Sequence, residues 1–236
     1  MNLIKNRVKP NYLSLVWKNN DTRELLIIGR ITREANGARL DYLINTDDFR
    51  KAQKNGFTCF PAFPDINKSY TINVLEVFSR RIPPRNRGDY DEFLQGIGLP
   101  ISVKDTILDF DLLGYSEVRL PCDGFAIINS YDEIDSNCDF LTEVAGFRYQ
   151  PEALNLLNNN KITKGLKVDI QIEDGNEYDI NAVKVVFEGE KIGYINRAQN
   201  KAFRRWIQNK RNISAQIEKI NGTQDRPSVI LFVEIR

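Results

Sequence analysis

The last hundred residues are cut into short runs of β-forming residues, and this pattern limits the fold more than any other feature. Residues 166–173 alternate apolar and polar side chains, the two-residue period of a half-buried strand. Residues 182–187 and 191–195 flank a Glu188-Gly189-Glu190 turn and read as a hairpin. Residues 140–146, 213–220 and 229–235 supply further strands. A short helix is predicted over 151–158 and a late one over 198–209. Several short strands and one late helix in so little chain predict a small β-barrel with helices over 140–236.

The first half reads differently. Residues 12–17 and 25–31 are predicted strands joined by a turn at 18–21, and Asn36-Gly37 turns the chain into a third strand over 38–43. Thr46 is placed to cap a helix over 46–55. Further helices are predicted over 75–82, stopped by Pro83-Pro84, over 90–95 and over 103–113, with small strands around 116–128. The expected class is α+β: an N-terminal mixed β-sheet with short helices over 11–131, then the barrel over 140–236. The acidic stretch 131–138 is an ordered connection.

Net charge is +1, so charge is informative only by segment. Residues 1–139 hold 18 basic and 20 acidic side chains, and residues 140–236 hold 15 and 12. The excess of cations marks the second half as the nucleic-acid partner. There is no histidine, which excludes a Ser-His-Asp triad, a Cys-His dyad and any His-ligated metal. The three cysteines, Cys59, Cys122 and Cys138, form no CxxC pair, as expected for reduced thiols in the cytoplasm. No apolar run is long enough to span a membrane, and no signal peptide is visible.

Four pieces in order carry a resemblance: Gly146-Phe147-Arg148-Tyr149, the strand at 166–173, Asn176-Glu177-Tyr178-Asp179-Ile180-Asn181-Ala182-Val183, and Gly193-Tyr194-Ile195-Asn196-Arg197. Over about the last 95 residues this resembles the HIRAN family. That family is an accessory domain of helicase-like DNA repair proteins, where it binds the free 3′-hydroxyl end of single-stranded DNA, and it also occurs in small bacterial proteins. The resemblance implies that Tyr149 and Tyr178 stack on bases, that Asp179 takes the terminal sugar hydroxyl, and that Arg148 and Arg197 hold phosphates. Asn176 and Tyr194 are further contacts. Unpaired bases expose π-faces to aromatic rings, and a carboxylate accepts from a hydroxyl but repels a phosphate. Two positions depart from the family: Glu177 stands where a proline is frequent, and Tyr194 where some members have histidine. On the late helix, Lys201, Arg204 and Arg205 share a face by their i, i+3, i+4 spacing, which suits a duplex or a phosphate backbone.

A second resemblance covers residues 12–129. Ile28-Gly29-Arg30-Ile31, Asn36-Gly37 running into Leu40-Asp41-Tyr42, Phe60-Pro61-Ala62-Phe63-Pro64 and Phe78-Ser79-Arg80-Arg81-Ile82-Pro83 resemble the first subdomain of HipA-type toxin kinases. The kinase core itself is absent: there is neither a Gly-rich phosphate loop with a strand lysine nor a catalytic Asp-x-x-x-x-Asn segment. That resemblance implies a non-catalytic antitoxin or accessory subunit with a HipA-like kinase as partner, Phe78, Ile82 and Phe93 being candidate contacts or plain core. No cofactor and no metal are expected. Two alternatives stand beside DNA binding: an adaptor that binds a kinase and no DNA, and a metal-dependent nuclease using Asp174, Glu177 and Asp179.

Overall fold

The computed structural model describes residues 1–19, 21–22, 24–117, 124–223 and 226–236. Asn20 of the first predicted turn, Cys122 and the middle of the predicted strand run at 116–128 lie outside them. The chain divides into two compact units: Lys9–Glu133, and Met1–Val8 together with Ile134–Arg236.

In the first unit, β1 (Tyr12–Lys18), β2 (Leu25–Glu34) and β3 (Gly37–Tyr42) form the expected meander. A later strand, β4 (Phe125–Ile128), pairs with β1, giving the order β3-β2-β1-β4, and every pairing is antiparallel. Leu13, Leu15, Leu26, Ile28 and Ile31 fill the core beneath it. The helix α1 (Asp47–Lys54) begins where its cap predicts, with Thr46 Oγ1 accepting from the Phe49 N–H at 3.3 Å. Next come α2 (Val74–Ser79) and α3 (Tyr90–Gly96). Phe78 and Ile82 are buried, so they are core, whereas Phe93 is half-buried.

The helix predicted over 103–113 is displaced. The chain makes a single 3-10 turn at Ile101–Val103, and α4 runs from Asp109 to Ser116. The Arg85 guanidinium is the cause. It donates to the carbonyl oxygens of Lys104 and Ile107 and to the Asp109 carboxylate, turning aside carbonyls that a helical ladder would need.

The second unit is built on β5 (Cys138–Glu143), β6 (Lys167–Ile172), β7 (Val183–Phe187), β8 (Glu190–Tyr194), β9 (Ile213–Thr223) and β10 (Arg226–Ile235). Their order is β5-β10-β9-β6-β7-β8, antiparallel throughout. The sheet curls into a half-barrel. Just past β5, Ala145 pairs with Tyr194 on β8 through two backbone hydrogen bonds of 2.7 and 2.9 Å, so the two edge strands meet. Of its helices, α5 (Pro151–Asn158) starts on a proline, whose missing N–H costs nothing at a first turn. The other, α6 (Asn200–Gln208), buries Phe203 and Trp206 against Phe140, with ring centroids 5.3 to 6.1 Å apart. The whole is α+β, with a separate sheet and short helices preceding the half-barrel.

Residues 1–8, for which the sequence shows no role, belong to this second unit. Ile4 and Val8 are buried, each contributing about 2 kcal/mol. The backbone N–H groups of Lys5 and Asn6 donate to the buried Asp139 carboxylate at 2.9 and 2.8 Å, and Arg236 closes a 2.7 Å ion pair on its other oxygen. Burial alone would raise the Asp139 carboxyl. The donors from Asn6, Arg236 and Lys5 overcome burial and hold it below the ordinary aspartate range. A depressed carboxyl stabilises the fold above its unfolded-state value and loses that contribution as pH falls through the folded value. Stability of the C-terminal unit should therefore fall steeply below about pH 4. Asp139→Asn should flatten that acid limb in a series of urea melts, and a limb of unchanged steepness would contradict the assignment.

Candidate nucleic-acid interface

The loop from Glu173 to Asn181 joins β6 to β7, and its shape follows from two short polar side chains. The Asn176 Oδ1 accepts the N–H groups of Tyr178 and Asp179 at 2.9 and 3.0 Å, and the Asp179 Oδ1 accepts the N–H of Asn181 at 2.8 Å. These are side-chain-to-backbone turns of the kind Asn and Asp favour. They push Tyr178 out, where it is 82% exposed beside Ile180 at 83%.

A second aromatic comes from the 3-10 turn Phe147–Tyr149. Gly146 enters the turn with φ of +72°, which a residue with a side chain adopts at a cost. Phe147 is buried, and Tyr149 is 57% exposed. The Arg148 guanidinium lies over the Tyr149 ring, 4.5 Å from its centroid, and donates to its hydroxyl. Arg148 has no carboxylate partner among the described residues.

Tyr194 joins the two loops. Its backbone carries the Ala145 pairing that fixes the turn, and its hydroxyl donates to Glu173 at 2.9 Å. The Asn176 amide donates to the same Glu173 oxygen at 2.6 Å, and Lys191 donates to the Tyr194 hydroxyl at 2.7 Å. Burial tends to raise the Glu173 carboxyl, but Asn176, Tyr194 and Lys191 together hold it low, so it stays an acceptor. An acceptor at that point forces Asn176 to present its NH₂ there and its oxygen to the loop backbone.

The sequence-predicted residues therefore fall into three groups. Arg148, Tyr149, Asn176 and Tyr178 sit on two loops that Tyr194 links through its backbone pairing and its hydroxyl. Asp179 and Arg197 adjoin it at the start of α6. The Asp179 carboxylate, with 17% of its side chain exposed, accepts from the Asn200 amide at 2.8 Å and lies 4.0 Å from the Arg197 Nε. The helix cations separate. Arg204 is ion-paired with Asp174 at 2.9 Å, and Arg205 donates to the Ile134 carbonyl at 2.7 Å and approaches Asp135 at 3.5 Å. Lys201 alone of the three is exposed, without an ion pair among the described residues.

Glu173, Lys191, Asn200 and Lys184 have no place among the residues predicted from sequence. Lys184 lies directly across from Tyr194 and has no ion pair among the described residues. Counting back from the hairpin turn would set it opposite Gly193, but a bulge between Val185 and Val186 shifts the register by one. Of the three acids weighed for a metal, Asp174 is held by Arg204, Glu177 points to solvent and Asp179 is turned to Asn200. Among the described residues no group of three His, Cys, Asp or Glu side chains could hold a metal ion.

Comparison with known proteins bears on the C-terminal segment. Residues 138–232 match the family model of the HIRAN domain. The crystal structure of the HIRAN domain of human HLTF is 21% identical, over 41% of this chain and 74% of that one, with a TM-score of 0.31. A crystal structure of a protein from Lactobacillus plantarum is 23% identical, over 43% of this chain and all of that one, with a TM-score of 0.35. No curated protein matches the chain. The matched segment covers β5 to most of β10 and contains every sequence-predicted residue just described. Among the described residues no helix is long and apolar enough to cross a membrane.

Proposed function

We propose that the HIRAN unit grips the 3′ end of single-stranded DNA. One observation carries this reading: two large aromatic rings, Tyr149 and Tyr178, are held out in solvent on loops that a shared hydrogen-bond network anchors. A soluble fold gains nothing by exposing such rings, and each can stack on a base for about 1–3 kcal/mol. Arg148, Lys184 and Lys201 supply charge for the phosphates. Asp179 accepts the terminal hydroxyl, and its negative charge disfavours a strand that continues in phosphate. The protein acts without catalysis, in the cytoplasm. On the sequence resemblance of residues 12–129, the Lys9–Glu133 unit binds a HipA-like kinase subunit, and the pair forms a toxin–antitoxin module.

Fluorescence anisotropy with a labelled oligonucleotide tests the DNA reading. Binding should weaken as salt rises, and a 3′-hydroxyl strand should bind about 10-fold or more tighter than its 3′-phosphorylated form, the worth of one charge-assisted hydrogen bond. Equal affinities would remove end recognition. No binding even at low salt would remove the DNA reading altogether.

A further inference from the structure

We propose that Asn200 sets the end preference, as a positioning residue that holds the Asp179 carboxylate turned toward the strand terminus. The inference rests on the DNA-end reading and extends it to a residue outside the contact surface. Asn200 is the first residue of α6 and is 3% exposed. Its Nδ2 donates to the Asp179 Oδ2 at 2.8 Å, while the Asn181 N–H donates to Oδ1 at 2.8 Å. The carboxylate is thus clamped from two sides, by its own loop and by the helix. Each oxygen keeps a lone pair for one more donor, and the partly exposed edge is where that donor must come from.

The orientation of the Asn200 amide is forced. Its oxygen would meet the carboxylate with two acceptors face to face, so the NH₂ must point there. That leaves Asn200 Oδ1 buried and without a partner, the cost of aiming the amide at Asp179. The Arg197 Nε lies 4.0 Å from the carboxylate, and the loop, α6 and β7 also carry Glu173, Glu177, Lys184, Lys201, Arg205 and the Asp174–Arg204 pair. With its oxygens fixed, Asp179 offers a terminal hydroxyl a pure acceptor. Once released, it can swing into solvent, and the site no longer reads the difference between hydroxyl and phosphate.

The experiment compares 3′-hydroxyl and 3′-phosphate oligonucleotides on the full chain. Asn200→Ala should bring the affinity ratio about 10-fold closer to one, leaving the 3′-phosphate strand within about twofold of wild type. Asn200→Asp supplies a readout that loss of packing would not move. Its new carboxyl, when protonated, is an isostere of the amide and donates to Asp179. When ionised, it repels Asp179. The 3′-phosphate takes its second charge at about pH 6, so each ratio is read against wild type at the same pH: Asn200→Asp should match wild type at about pH 5 and fall well below it by about pH 8. A ratio unchanged in Asn200→Ala, or both strands weakened equally, overturns the proposal. So does an Asn200→Asp ratio that follows wild type from about pH 5 to about pH 8, which decides the matter if the alanine variant does not fold. A wild type that binds both strands equally would instead fail the DNA-end reading itself.

Discussion

Tyr178→Ala should weaken binding of single strands by about 5- to 150-fold, the worth of one stacked base. Its ring is 82% exposed, so the change removes a platform and leaves the fold alone. The loop keeps its shape because Asn176 grips the backbone N–H of residue 178, which alanine retains. Thermal unfolding should match wild type within about a degree, since surface changes away from special features cost about 0.5 kcal/mol or less. Tyr178→Phe keeps the π-face and should bind nearly as wild type. Anisotropy titrations of the three proteins at one salt concentration settle the point. If the alanine variant binds undiminished, the loop is not a base platform.

Gly193→Ala should have the largest effect on stability. Gly193 sits on β8 with φ of +147°, in a region that side chains rarely adopt. A methyl group there would stand 2.5 Å from the Val144 Cγ1 and 2.7 Å from the Ala145 carbonyl oxygen. The oxygen is backbone, in the pairing that joins the two edges of the half-barrel, and it cannot step aside cheaply. Overpacking and strained backbone together cost about 3 kcal/mol or more. For a unit near a hundred residues that lowers Tm by about 12 °C or more. DNA binding should fail with it, because opening that seam detaches the Tyr149 turn from the Tyr178 loop. Calorimetry showing an unshifted transition would mean that the seam accommodates a side chain.

Much of the fold was legible because local chemistry and tertiary structure agree. The alternation in residues 166–173 becomes β6, the Thr46 cap starts α1, and the Asn36-Gly37 turn leads into β3. What was not legible depends on partners distant in sequence. No spacing rule shows Arg85 reaching across to the carbonyls of Lys104 and Ile107 and postponing α4 to Asp109. The i, i+3, i+4 spacing of Lys201, Arg204 and Arg205 does not show that Asp174 and Asp135 approach two of them. At the candidate site, resemblance marks the residues that would touch DNA. The supports, Glu173, Lys191 and Asn200, become visible only when a strand end, a hairpin and a helix start are brought together.

The joining of residues 1–8 to the C-terminal unit has a consequence for how the protein is made. Their carboxylate partners, Asp139 and Glu218, follow in the chain only after all of Lys9–Glu133. At about 5–20 residues per second, the ribosome delivers Asp139 roughly 7 to 25 s after Val8. Through that interval the apolar Ile4 and Val8 have no docking surface, while the Lys9–Glu133 unit can already collapse. Synthesis thus completes the chain of the inserted unit before the half-barrel has all its strands, and the leading segment must wait for the last of them.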